Sequence, residues 1–166
     1  MSKADYPITT GVRFLRDHKI EFTPRLYDYE PHGGTERAAN ELGVDEHKVI
    51  KTLVLETDPR SQILVLMHGD CEVSIKNLAR FLEVKQVAST SEATANRVTG
   101  YQVGGISPFG TRTVLPVFAE KTIFTLPTIY INGGKRGFLV ELNPISIRDS
   151  LKIQDVEIGI LRSHHQ

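Results

Sequence analysis

Apolar residues along this chain recur at two periods, and the changes of period divide it into elements. Ile75, Leu78, Ala79 and Leu82 fall at i, i+3, i+4 and i+7, with Lys76, Asn77 and Arg80 between them, which predicts an amphipathic helix capped by Ser74. Thr9 or Thr10 opens a first helix with Val12, Phe14 and Leu15 on its buried side and Arg13, Arg16, Asp17 and Lys19 on its wet side. Thr35 caps a second over 36–42, closed by Gly43, and Asp45 caps one further turn to Lys48. Ser91 opens a polar helix to about Val98, and Asn143, with Pro144 in the favoured first position, caps a last one.

The stretches between them read as strands. Residues 20–29 carry Phe22, Leu26, Tyr27 and Tyr29, and Pro24 pushes this strand to a sheet edge because it has no N–H to donate. Residues 49–56 and 63–67, joined by the turn 58–61, read as a hairpin or near neighbours, and 84–88, 114–118, 128–132 and 138–142 follow. There is no repeat and no linker, so residues 1–166 form one domain, with 1–8 and 154–166 as peripheral termini. Strands and helices alternate irregularly with hairpins among them, which predicts an α+β fold rather than a doubly wound parallel sheet.

Composition narrows the class. At 40% apolar and 24% charged residues the chain is of ordinary globular make-up. Its zero formal charge argues against grip on nucleic acid by bulk phosphate neutralisation, though not against a local patch. The single cysteine, Cys71, rules out an intramolecular disulfide and fits a reducing compartment. No apolar run reaches the ~18 residues of a membrane helix, and the N-terminus has no signal-peptide core, so a soluble cytoplasmic protein is expected.

Candidate chemistry gathers at glycines and one lysine. Tyr101-Gln102-Val103-Gly104-Gly105-Ile106-Ser107-Pro108-Phe109-Gly110 reads as a stiff loop with spare amides, suited to a binding wall. Its second half nearly matches a phosphate loop but lacks the lysine, and Pro108 removes an amide from the cradle. A second loop, Asn132-Gly133-Gly134-Lys135-Arg136-Gly137, lies downstream. Lys51 interrupts an apolar strand, sharing a face with Leu53 and Leu55 while Ile50, Thr52 and Val54 take the other. Two readings of Lys51 stand: an edge lysine reaching water along its stem, or a cleft lysine holding an anion or polarising a carbonyl. The six histidines show no i, i+4 zinc spacing, His32 beside a glycine pair is a candidate for the pocket, and Cys71, which follows His68-Gly69-Asp70, has two readings: a Cys-His nucleophile, or the small packing residue that a lone cysteine more often is.

Three segments together carry a family resemblance: Val49-Ile50-Lys51-Thr52-Leu53, Thr99 through Pro108, and Ile129 through Gly137. In this order the chain resembles the YbaK/EbsC-type aminoacyl-tRNA deacylases, relatives of the editing domain of bacterial prolyl-tRNA synthetase. The resemblance implies a single α+β domain with a mixed, barrel-like sheet flanked by helices. It also implies hydrolysis of the ester joining a wrong amino acid to tRNA, best known for cysteine on proline tRNA. Lys51, Gly104, Gly105 and Ser107 would then be catalytic, with Lys51 at the 3′-terminal nucleotide and the loop amides at the ester. Tyr27, Thr52, Ile106, Pro108, Asn132, Gly133, Gly134 and Leu139 would bind substrate. The implied partners are the mischarged tRNA acceptor end and prolyl-tRNA synthetase, with no metal or organic cofactor. Asn132 and Leu139 depart from the cysteine-specific pattern, which has serine and aspartate there, so a small aliphatic side chain becomes a candidate for the edited residue.

Overall fold

The computed structural model describes residues 5–58 and 60–162. In chain order these form α1 (Thr10–Asp17), β1 (Thr23–Leu26), α2 (Gly34–Leu42), a 3-10 turn (Glu46–Lys48), β2 (Val49–Thr57), β3 (Ser61–His68), β4 (Cys71–Val73), α3 (Ile75–Leu82), β5 (Val87–Ser89) and α4 (Glu92–Thr99). There follow β6 (Val117–Glu120), a 3-10 turn (Lys121–Thr125), β7 (Ile129–Lys135), β8 (Phe138–Leu142), a 3-10 turn (Pro144–Ile147), β9 (Gln154–Val156) and β10 (Gly159–Leu161).

Local chemistry accounts for most boundaries. Thr9, Ser74 and Ser91 accept the N–H groups of Val12, Asn77 and Thr94, each satisfying a donor that the first helical turn leaves unpaired. Gly43 closes α2 in the left-handed conformation at φ 66°. Thr35 does not cap α2. The helix starts two residues earlier than expected, at Gly34 behind Gly33, and the Thr35 hydroxyl instead donates to Glu46 at 2.7 Å, tying α2 to the turn before β2. The helix expected after Asn143 is a single 3-10 turn, although Asn143 does cap it. The strand expected over 20–29 shrinks to Thr23–Leu26: at its start Ile20 N–H closes α1 on the Leu15 carbonyl, and at its end the ladder stops where β8 begins, at Phe138 opposite Leu26. Residues 154–161, expected as a peripheral tail, supply β9 and β10 and bury Val156 and Ile158. Three-residue strands are too short to show an alternation. Pro59 of the 58–61 turn, and the polar tail with His164 and His165, lie outside the described residues.

The main sheet is mixed, in the order β1-β8-β7-β2-β3-β6-β9, with β5 also on β2 and a separate β4/β10 pair. β2/β7, β3/β6 and β6/β9 are parallel and the other pairs antiparallel. β1, with Pro24, is an edge strand as its sequence requires. One sheet face, through Ile50, Leu64, Ala119, Ile131 and Val140, surrounds the largest core together with α1 and α4. The opposite face packs Leu55, Val65 and Phe118 on Leu78 of α3, and Val49, Tyr130 and Leu139 on Ala38 and Ala39 of α2. Among the described residues no helix is long and apolar enough to cross a membrane.

Candidate active site

A gap in strand pairing creates the cleft. β3 accompanies β2 from Ile50 to Thr57, but on the other side β7 is in register only with Val49 and Ile50, and β5 only from Leu55 onward. Residues 51–54 therefore have no strand partner on that side among the described residues, although Thr90 N–H reaches the Val54 carbonyl at 3.4 Å. Into this gap opens a cleft of about 710 Å³, walled by α2 and the Tyr27–Tyr29 segment on one side and by α4, the Gly104 loop and Asn132 on the other.

β2 alternation delivers two polar groups to the cleft from opposite faces. Ile50 and Val54 enter the core under α4, whereas Leu53 and Leu55 pack toward α3, so Lys51 and Thr52 approach from different sides. Lys51 is half-buried, and no hydrogen bond or ion pair holds its ammonium among the described residues. Burial, and next the charge of Arg162, lower its pKa, while Glu72, Cys71 and Glu46 pull the other way. The Thr52 hydroxyl is buried without a partner among the described residues. Unpaired buried polar groups are uncommon in proteins, and two adjacent ones facing a cleft are what a polar ligand would complete.

The two glycine loops are fastened to each other. Asn132 Oδ1 accepts the N–H groups of Gly134 at 2.7 Å and Lys135 at 3.1 Å, while its Nδ2 donates to the Gly104 carbonyl at 3.3 Å. Arg136 Nε donates to Val103 O at 3.0 Å, and its guanidinium lies over the Tyr29 ring, 5.4 Å from the centroid. A Cβ on Gly105 would stand 2.7 Å from Arg136 N, so close approach of the two backbones requires this glycine, while one on Gly104, at φ 93°, would stand 2.5 Å from the Tyr29 hydroxyl. Tyr27, whose N–H takes the Gly137 carbonyl, has its phenol pKa raised by burial and then by Tyr29.

The expected residues thus fall into two groups. Lys51, Thr52, Tyr27, Gly104, Ile106, Asn132 and Leu139 line the cleft. Gly105, Ser107, Pro108, Gly133 and Gly134 do not, and form the backing of the loops. Ser107 is fully buried, and its hydroxyl accepts the Phe109 N–H at 3.2 Å beside the Tyr101 phenol. That phenol donates to the Phe109 carbonyl at 2.5 Å, and burial pushes its pKa to about 12. Ser107 therefore stiffens the loop from behind. Tyr29, Arg136, Thr90 and Glu92 line the cleft without having been singled out as site residues. The Arg136 position inside the second glycine loop was the available signal.

Behind Lys51 lies a polar cluster. His47 Nδ1 meets Asp70 Oδ1 at 2.8 Å, Cys71 Sγ lies 3.5 Å from the same oxygen, and the three ligand-type atoms sit within 4.8 Å of one another. The His47–Asp70 spacing suits a hydrogen bond, since two light donors on a tetrahedral zinc stand roughly 3.3 Å apart at ordinary bond lengths. Burial and the neighbouring Asp70 push the Cys71 thiol up to about 11, so it stays protonated. The His47 ring stacks on His68 at 3.7 Å, and fully buried His68 is fixed by the His47 carbonyl and Thr122. This cluster is a brace under β2.

Comparison with known proteins identifies the family and the fold. The sequence model of the aminoacyl-tRNA editing domain matches residues 30–149. The chain is 28% identical over 151 residues to EbsC of Enterococcus faecalis, a candidate Cys-tRNA(Pro)/Cys-tRNA(Cys) deacylase, covering 90% of this chain and 92% of the relative. It is 30% identical over 140 residues to proline–tRNA ligase of Brachyspira hyodysenteriae, covering 81% of this chain but 24% of that longer protein. A crystal structure described as a candidate trans-editing enzyme for prolyl tRNA synthetase superposes with a TM-score of 0.80 at 17% identity, over 93% of this chain and 99% of the other. With the match spanning cleft, lysine strand and both glycine loops, the chain belongs to the aminoacyl-tRNA editing domain family.

Proposed function

We propose that the chain is a trans-editing hydrolase that deacylates mischarged tRNA, acting on cysteine or a related small amino acid carried by proline tRNA. The observation that carries this reading is Lys51: a half-buried ammonium without an ion-pair partner among the described residues, facing a cleft whose opposite wall is a loop of close-set backbone. The family match and the EbsC relative support the substrate class.

Ester hydrolysis needs a nucleophile at the carbonyl, stabilisation of the oxygen that becomes negative, and a proton for the departing ribose oxygen. Water attacks the carbonyl; the bond to the ribose breaks, the ribose oxygen takes one water proton, and the amino acid leaves as a carboxylate with the other proton released to solvent. Where a substrate thiol attacks instead, the amino acid leaves as a thiolactone, its thiol proton passes to the ribose oxygen, and water opens the ring afterwards. In this reading Lys51 and the loop backbone contribute positioning and charge. Lys51 holds the terminal nucleotide beside the ester and faces developing negative charge, and the backbone of Gly104 and Ile106 flanks the carbonyl, the Gly105 N–H between them being given to the Gln102 carbonyl at 2.8 Å. Asn132 and the Tyr27 and Tyr29 rings frame the acyl group. Leu139, which packs on Ala38, Val49 and Tyr130, gives the cleft an apolar side suited to a small uncharged residue. Acceptor-end binding, assistance by prolyl-tRNA synthetase and a cytoplasmic setting belong to the same reading.

The test is a deacylation panel with labelled Cys-, Ala- and Ser-tRNA(Pro). Clearance of at least one above the buffer rate, lost in Lys51→Ala, is expected. Binding of tRNA without hydrolysis of any of them would instead make the protein a non-catalytic module.

A further inference from the structure

A second surface lies at the far end of β5 from the cleft. Lys76 and Arg80, one helical turn apart on α3, and Lys85 on the following turn line a shallow groove of about 670 Å³ with Ala79, Val84 and Gln86. All three cations are exposed, none is in an ion pair among the described residues, and no carboxylate lines the groove. Glu83, which ends α3, is the neighbouring acid in sequence but is not part of the lining. In a chain of zero formal net charge such a grouping is a local excess that the rest of the surface offsets.

β5 connects this groove to the cleft. Val87 borders the groove, and Thr90, just past the strand, borders the cleft. Three residues of strand span ~10 Å at the usual rise, the scale of a couple of nucleotides of extended single strand. Ala88 and Ser89 lie between, small and exposed, and β5 pairs only with β2, so its outer edge is open among the described residues. Lys121 contrasts with the groove cations, because it is neutralised by Glu157.

We infer that Lys76, Arg80 and Lys85 form a phosphate track for the single-stranded acceptor end of the tRNA, which passes along β5 so that its terminal nucleotide enters the cleft at Lys51. This rests on the deacylase reading for the identity of the nucleic acid, but its contacts are sequence-independent and made before any bond is broken.

The experiment measures binding apart from chemistry. A fluorescent, uncharged acceptor-stem minihelix ending in CCA is titrated by anisotropy with wild type and with the Lys76→Ala/Arg80→Ala/Lys85→Ala variant between 50 and 200 mM NaCl. The variant is expected to bind about tenfold more weakly at the lowest salt, with a log–log salt slope shallower by ~2, as three single-strand phosphate contacts require. Lys85→Ala alone is expected to remove about one third of that slope change. Equal affinity and slope in wild type and triple variant would overturn the track. Hydrolysis is scored separately on mischarged tRNA and on a 2′(3′)-O-aminoacyl adenosine. The triple variant should raise KM on tRNA and leave the small ester untouched, and equal losses on both would also refute the inference. Binding loss in the variant together with no hydrolysis by wild type would remove the deacylase reading and leave the track standing.

Discussion

Replacing Lys51 by methionine should make the protein more stable and nearly inactive. The methylene stem packs as before, but the ammonium, which has no ion-pair partner among the described residues and is disfavoured by burial and by Arg162, is gone. A fully buried ion costs several kcal/mol, and screening on the exposed side of this half-buried one leaves about 1 kcal/mol to recover. For a domain of this size that corresponds to a rise in Tm of roughly 2–4 °C. The pH dependence follows from the direction of the shift. Because the folded pKa lies below the unfolded value, the unfolded chain binds more protons between the two, and wild-type stability rises with pH across that window. The variant should lack this rise, its gain shrinking as alkaline pH discharges Lys51. Deacylation should fall by ~10²–10³, the usual loss when a group facing developing negative charge is removed. Differential scanning fluorimetry from pH 7 to 10, with single-turnover deacylation, measures both. A lower Tm, or activity within a few-fold of wild type, would mean that Lys51 is an edge lysine reaching water, and the reasoning would fail.

Three further perturbations probe the surrounding frame. Gly104→Ala forces a side chain onto φ 93° and against the Tyr29 hydroxyl; about 1–3 kcal/mol of stability should be lost, with a higher KM, and wild-type values of both would show the loop to be pliable. Asn132→Ala removes one of the two side-chain bonds between the loops, and the turn bonds of its own loop, while leaving the β7/β8 ladder and the Arg136–Val103 bond intact, so kcat/KM should drop about tenfold with under ~1 kcal/mol lost in urea unfolding; an unchanged kcat/KM would remove its positioning role. Glu120→Ala strips the carboxylate that accepts both Ile158 and Gly159 N–H at 2.7 Å; roughly 3 kcal/mol should be lost, with faster hydrogen exchange at β10, and a smaller loss would indicate that water replaces it.

Residues whose environment is local were legible in the sequence. The Ser74 cap and the Ile75–Leu82 pattern specify α3, and strand alternation correctly separates Lys51 from Thr52. The loops that hold Asn132 and Gly104 are marked by their glycine content, and the family resemblance singles out the two residues within them. What remained hidden depends on contacts distant in sequence. The gap beside β2 exists because β7 departs after Ile50 and β5 arrives at Leu55, and neither departure is written in β2 itself. Ser107 faces inward because Tyr101 and Phe109 fold over it, so its hydroxyl is structural although its loop forms part of the wall. Thr35 has cap chemistry but finds Glu46, eleven residues on, as its partner. Arg136 reads as a turn cation until Tyr29, from the other end of the chain, is set beneath it.

The interruption beside β2 also bears on how the protein avoids its own kind. An unpaired stretch in a central strand is ordinarily an invitation to another chain to add a strand and to aggregate. Here the vacancy is four residues long, capped by β7 at one end and β5 at the other, and roofed by α2 and the Gly104 loop. An intruding strand could not extend past either stop, so no register offers it more than a fragment of a ladder. The fold can therefore keep a stretch of its central strand uncovered for a small ligand without exposing a template for assembly.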